Sequence, residues 1–246
     1  MKLTVLGRYG PFPAPGGACS GYLLESGGVT LVMDLGSGTL GNLLRRVPGL
    51  GLTAVLLSHL HSDHMSDMLV LRYALQQLSA RGQPVPMPLT VVSPDEPDAE
   101  FRQLAGSGVY DMVPARDGLR IRFGDMAIAL HRVIHPVPTY CFDIEHQGRR
   151  LFYTGDTGYF AGLADLAKGA HVILAGTGFL NAEKTTAIAP HLTAGEAGRL
   201  AQRAGAEQLL CTHIWGGEPR DEAILAEAKA HFPNTLVAEE MHEYMI

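Results

Sequence analysis

Apolar and polar positions along the start of the chain fall into short β-branched runs: LTVLG from Leu3, GYLLES from Gly21 and VTLVMD from Val29 each predict a strand. Gly27 and Gly28, between the last two runs, predict a hairpin. The period then changes. Thr39 to Val47 and Asp67 to Leu78 carry apolar residues at helical spacing, flanking the apolar strand AVLLS from Ala54, and LTVVS from Leu89 predicts another strand. A second series follows, with strands at MAIALHRV (from Met126), CFDIE (Cys141), RLFYTGD (Arg150), HVILAG (His171) and QLLCTH (Gln208). Its helices are expected near Tyr159 to Leu166, Thr193 to Arg203 and Asp221 to Ala230. The pattern predicts an α/β protein in which sheets are covered by helices on their outer faces. We expect one domain over residues 1–246, with two similar halves, roughly 1–120 and 121–246. The Pro-rich GQPVPMPLT from Gly82 is a loop within the first half rather than a linker.

Composition narrows the function classes. At 246 residues and 46% apolar content the chain can bury a substantial core. Nineteen Lys and Arg against twenty-five Asp and Glu, a net charge of −6, argue against binding duplex nucleic acid or anionic membrane. The longest uncharged stretches, Tyr9 to Leu24 and Val47 to Ser62, are sixteen residues each, too short to span a bilayer. The N-terminus offers one Lys and a short apolar run, too brief for a signal peptide, so a cytoplasmic protein is expected. Three cysteines without a CxxC pair indicate neither a disulfide framework nor a thiolate zinc site.

Two motifs resemble chemistry they do not support. Gly36, Gly38 and Gly41 spell the GxGxxG of a dinucleotide-binding turn after a strand, but the next strand ends in Leu57, Ser58 and His59, with no carboxylate to hold a ribose. These glycines are read as a tight turn that lets backbone approach the site. Gly17, Cys19 and Gly21 give GxCxG, yet Cys19 precedes a strand instead of joining strand to helix, as a nucleophile elbow must.

The informative segment is HLHSDH, which places His59, His61, Asp63 and His64 within six residues directly after the strand AVLLS. In extended backbone His59 and His61 point the same way and can converge on one metal ion, while Asp63 and His64 can address a second. Further ligands are expected at other strand ends, where open α/β sheets place their sites. His135 follows MAIALHRV, Asp156 ends RLFYTGD and His213 ends QLLCTH. Asp156 is the natural bridging carboxylate, because its two oxygens can reach two cations.

Together these residues resemble the metallo-β-lactamase superfamily, whose HxHxDH signature is matched by His59, His61, Asp63 and His64. Within it the chain looks like the ribonuclease Z branch, through LTVLG at Leu3, DLGSG at Asp34, HPVPTYCFDIE at His135, GDTG at Gly155 and THI at Thr212. The resemblance implies an αββα sandwich with two divalent ions at the sheet ends. His59, His61 and His135 would hold the first ion and Asp63, His64 and His213 the second, with Asp156 and a hydroxide bridging them. Zinc suits such donors and manganese is acceptable. It also implies a homodimer.

Three departures limit the resemblance. The chain has no long Gly/Pro-rich arm for gripping tRNA; Asp67 stands three residues past His64, where the family has Gly; and Gly176 stands where the branch carries a Glu partner for a histidine. His191, in PHLTAGE, is the matching histidine and becomes the candidate general acid, without a Glu to raise its pKa. Thr193 and Glu196 in the same segment predict a capping box. His131, His146, His171, His231 and His242 lack ligand spacing and are read as structural, while Tyr140, Phe179 and Trp215 could wall a substrate pocket.

The expected activity is hydrolysis of a phosphodiester, a small or cyclic one or a short RNA 3′ end, by the bridging hydroxide, with Asp63 and His191 as catalytic groups. An esterase, lactonase or arylsulfatase on the same site is the alternative, and a non-catalytic metal-binding domain is the third reading.

Overall fold

A computed structural model of the chain describes residues 1–186 and 189–246. In the first sheet, β1 (Lys2–Gly7), β2 (Gly21–Ser26) and β3 (Val29–Leu35) run antiparallel, followed in parallel by β4 (Ala54–Leu56), β5 (Leu89–Ser93) and β6 (Tyr110–Pro114). The second sheet repeats the plan. Its antiparallel part is β7 (Arg120–Phe123), β8 (Met126–Arg132), β9 (Tyr140–His146) and β10 (Arg149–Tyr153), continued in parallel by β11 (Val172–Gly176), β12 (Gln208–Thr212) and β13 (Thr235–Val237). The last strand, β14 (Glu243–Met245), returns to the first sheet as the antiparallel neighbour of β1.

Alternation along each strand divides its side chains between two cores. Leu3, Val5, Leu31 and Met33 meet Phe142, Ile144, Leu151 and Leu174 between the sheets. Their in-between neighbours face outward. Leu6, Val32 and Leu35 pack under α1 (Thr39–Arg46), the short α2 (Ser62–Met65), α3 (Met68–Ala80) and α4 (Asp98–Ala105). Phe152, Ile173, Leu209 and Cys211 pack under α5 (Leu163–Leu166), α6 (Ala194–Ala204) and α7 (Asp221–Lys229). The molecule is therefore the expected αββα sandwich, and central strands buried on both faces read as continuous apolar runs.

Several local expectations need correction. The helix expected near Tyr159 to Leu166 starts only at Leu163; ahead of it the Gly158 amide donates to the Ile134 carbonyl rather than into a helix. The helix expected over Asp67 to Leu78 is present as α3, but a short helix, α2, precedes it unannounced, so that Asp63 and His64 are helical. The four edge strands, β6, β7, β13 and β14, escaped the pattern: β7 carries two arginines, β13 is three residues long, and β14 is anchored by Tyr244 and Ile246, which are buried between the sheets. Among the described residues no helix is long and apolar enough to cross a membrane.

Candidate metal centre

Parallel strands put their C-terminal ends on one rim of each sheet, and the site residues sit there. His59 and His61 follow β4 and Asp63 and His64 lie in α2, whereas His135 follows β8, Asp156 follows β10 and His213 follows β12. All seven, drawn from both sheets, converge. His59 Nε2 and His135 Nε2 lie 3.0 and 3.2 Å from His61 Nδ1, so three imidazole nitrogens face one point. His213 Nε2 is 3.1 Å from both Asp63 Oδ2 and Asp156 Oδ2, and His64 Nε2 is 3.3 Å from Asp156 Oδ2. The triad and the quartet are each compact enough to hold a metal ion.

The carboxylate of Asp156 joins the two groups: its Oδ2 is also 3.8 Å from His59 Nε2 and 3.7 Å from His191 Nδ1. Four segments of sequence, β4 to α2, the end of β10, the end of β12 and the loop before α6, thus meet at one oxygen.

Outside this ring, a buried aspartate that the sequence marked only as a strand end fixes the imidazoles. Asp34 accepts hydrogen bonds from the Ser58 amide (2.7 Å), the Ser58 hydroxyl (2.8 Å), the Tyr153 hydroxyl (2.7 Å) and His64 Nδ1 (2.8 Å). With one proton fixed on Nδ1, His64 turns Nε2 into the site. Because the Ser58 hydroxyl donates to Asp34, it can only accept from His59 Nδ1 at 3.0 Å, which leaves His59 Nε2 free as well. His135 Nδ1 donates to the Pro190 carbonyl at 3.1 Å. Such outer partners set the tautomer and orientation of ligating histidines.

That arrangement tests whether the donors fit a cation. His64 Nε2 is buried, has no hydrogen-bond partner, and faces carboxylate oxygens. A buried imidazole nitrogen so held toward carboxylates is satisfied by a second proton or, in its place, by a cation between them. The set is nitrogen and carboxylate oxygen without sulfur, since Cys19, Cys141 and Cys211 are all free and buried. Burial pushes the Cys19 thiol up to about 11, so it offers no thiolate.

Electrostatics separate the two groups. Burial, reinforced by the neighbouring His64, holds His59 well below the usual imidazole range, and burial lowers His135. For His213 burial opposes charge, but Asp156 and Asp63 outweigh it and raise the group to about 9. Asp156, although buried, is held well below the carboxylate range by His213 and His64.

His191 joins the site from the loop before α6. Its ring stacks on His213 with centroids 5.1 Å apart, meets Phe179 edge-on at 5.5 Å, and burial lowers it to about 4. The capping box is present as expected: Thr193 Oγ1 accepts from the Glu196 amide, and Glu196 accepts from the Thr193 amide. Gly176, at the end of β11, is closely packed: a Cβ there would stand 3.0 Å from the Gly155 carbonyl and 3.4 Å from Asp156 Oδ1. Asp67 has a structural task, its carboxylate accepting from the Leu40 amide at the start of α1. Gly36 passes so close to Asp63 that a Cβ would lie 1.9 Å from its carbonyl oxygen, which is why the turn is glycine-rich.

Of the aromatic residues considered as pocket walls, Tyr140 is buried in the core between the sheets, Phe179 touches His191, and Trp215 is exposed. A cavity of about 940 Å³ lies behind the loop after His213, lined by Tyr9, Leu180, Ile214 and Arg220 among others, and includes none of the seven convergent residues. The chemistry therefore belongs to the histidine cluster and not to that cavity.

Comparison with known proteins agrees with this geometry. The beta-lactamase superfamily domain matches residues 30–214. The probable metallo-hydrolase YhfI of Bacillus subtilis is 35% identical over 214 residues, covering 87% of either chain. Its crystal structure superposes with a TM-score of 0.92 at 32% identity, over 99% of this chain and 98% of that one. A ribonuclease Z of Mycolicibacterium paratuberculosis is 29% identical over 253 residues, covering 87% of this chain and 85% of its own. Human tRNase Z, short form, shares the fold at 20% identity with a TM-score of 0.78, over 100% of this chain and 99% of that one.

Proposed function

The chain belongs to the beta-lactamase superfamily as a metallo-hydrolase, and from that premise we propose that it is a two-metal phosphodiesterase acting on a small or cyclic phosphodiester or a short RNA 3′ end. The observation that carries the reading is the position of Asp156 Oδ2, 3.8 Å from a nitrogen of the triad and 3.1 Å from one of the quartet. A single carboxylate between two donor groups suits a pair of cations held side by side. His59, His61 and His135 would hold one ion and Asp63, His64 and His213 the other, with Asp156 shared. Zinc fits these nitrogen and oxygen donors, and manganese is the alternative. A pair of divalent ions supplies Lewis-acid neutralisation of phosphoryl oxygens and an activated water for in-line displacement.

The chain's own groups do the rest. Asp63, in the first turn of α2, orients the nucleophile side of the site through its contact with His213. His191 is neutral at physiological pH, and its ring donates an N–H to the leaving oxygen. Net charge of −6 supports a small substrate over a long polyanion. The experiment is metal analysis by mass spectrometry alongside turnover of bis(p-nitrophenyl) phosphate and p-nitrophenyl acetate. About two ions per chain are expected, as a two-metal site requires, with preference for the phosphodiester. Cleavage of the acetate alone would replace the substrate class with carboxylic esters.

A further inference from the structure

Two large aromatic side chains at the same rim are left without a role by the metal centre. Trp215 lies two residues beyond His213. Phe12 lies two beyond Gly10, whose Cα rests on the His213 ring so closely that a Cβ there would stand 2.1 Å from Nε2. At ~3.6 Å per residue, both rings start within about 7 Å of backbone that touches this candidate ligand. They form an edge-to-face pair with centroids 4.9 Å apart and an interplanar angle of 72°. Yet Phe12 is 42% and Trp215 39% exposed. An edge-to-face pair leaves at least one flat face of each ring uncovered by the other.

The loops carrying them are fixed. The Gly10 amide donates to the Ile214 carbonyl, and the Ile214 amide to that of Arg8. A Cβ on Gly217 would lie 2.3 Å from the Trp215 indole nitrogen, and one on Gly216 2.4 Å from the Phe12 carbonyl oxygen. Ile214, between His213 and Trp215, is buried in the outer core. Neither aromatic ring lines the cavity behind this loop. Ile134, 53% exposed beside His135, and Phe179, edge-on to His191, extend an apolar rim around the charged cluster. A polar centre with an exposed aromatic pair on a fixed loop beside it matches an amphipathic ligand, anionic at one end and flat at the other.

We propose that Trp215 and Phe12 form a stacking subsite for the flat ring, nucleobase or aryl, of an ester whose phosphate sits at the His/Asp centre. The proposal rests on the phosphodiesterase reading and adds the class of leaving or retained group. Stacking needs only a π face, so the subsite selects for a ring and tolerates its identity.

Trp215 is the only tryptophan of the chain, so indole emission reports on this subsite alone. The metal-loaded protein is titrated with adenosine monophosphate, phenyl phosphate and ribose 5-phosphate while emission is followed. A saturable change with the ring-bearing esters and none with ribose 5-phosphate is expected. A response to adenosine monophosphate alone identifies the ring as a nucleobase; a response to both admits any aryl group. Phe12→Ala, which keeps the reporter, is expected to weaken the ring-bearing ligands roughly 5- to 150-fold. Trp215→Ala is expected to raise KM for aryl phosphodiesters with kcat nearly kept, and Trp215→Phe to recover part of the loss. An equal emission change with ribose 5-phosphate, or no change at adenosine monophosphate concentrations that inhibit turnover, overturns the subsite. Emission changes in a protein that turns over no phosphodiester would instead leave the subsite standing and remove the phosphodiesterase reading.

Discussion

The triad of His59, His61 and His135 and the quartet of Asp63, His64, Asp156 and His213 lie side by side but are built on opposite electrostatic plans. In the triad no carboxylate belongs to the set, and His59 and His135 are pushed toward the neutral form by burial. The quartet opposes two carboxylates to two buried imidazoles and holds His213 and His64 protonated when no cation is present. A cation entering the triad finds lone pairs ready; one entering the quartet must first displace protons. The difference teaches that seven ligand-type residues need not make two equivalent sites. Asp156, which reaches both, couples them.

The sharpest way to break that comparison is to remove the shared group. Asp156→Ala is expected to lower kcat/KM on the order of 10³-fold, the scale of losing a group that acts on developing charge, and to lose metal from both positions. His61→Ala, by contrast, is expected to retain about one ion per chain, because the quartet does not contain it. Retention of both ions and activity in Asp156→Ala would falsify the shared-carboxylate assignment.

A smaller effect is expected one layer out, where Asp34 serves the quartet directly through His64 and the triad only through Ser58 and His59. Asp34→Asn should reduce metal affinity by roughly 10- to 100-fold, as loss of an outer partner does, and more for the quartet ion. Competition with a chromophoric chelator measures both steps. Equal weakening of the two would show that Ser58 transmits as much as the direct bond.

The smallest effect is graded with pH. His213, raised to about 9, gives the metal-free protein stability that is complete below the ordinary imidazole value near ~6.5 and lost as pH rises through about 9. Its melting temperature should therefore fall across that window. Metal binding at the quartet should run the other way, strengthening with pH by up to about tenfold per unit for each proton displaced. The triad, where burial lowers His59 and His135, should change little above neutrality. Calorimetric zinc titrations in buffers of different ionisation enthalpy count the released protons directly. Release of none at pH 7 would show that the quartet is not proton-loaded.

How much could be read in the chain depended on how local the information was. HLHSDH was legible because four ligand-type side chains fall in one turn, and His135, Asp156 and His213 because each ends an apolar strand. Asp34 also ends a strand, but its meaning lies in Tyr153, 119 positions away, and in His64. The Pro190 carbonyl that orients His135 has no sequence signature at all, since every residue carries one. Weak elements failed for a related reason. β13 is three residues long and β7 alternates two arginines with Ile121 and Phe123 at a sheet edge, so neither offers a long apolar run. The helix start was placed too early because Tyr159 and Phe160 are apolar; they pack on the outer core without being helical.

What the sequence determined by itself was therefore the interior strands of both sheets, the two-sided burial of the central ones and the identity of the ligand-type residues. These follow from side-chain period and from chemistry that is dense over a few positions. Only the tertiary structure decided which nitrogen of each imidazole faces the centre, that a single oxygen of Asp156 reaches both groups, that Gly176 is closely packed against Gly155, and that Trp215 and Phe12 pair edge to face. Those properties depend on distances between segments up to more than 200 positions apart, as for Phe12 and Trp215. Such distances are set by how the two sheets pack, and packing is a property of the whole core rather than of any stretch of chain.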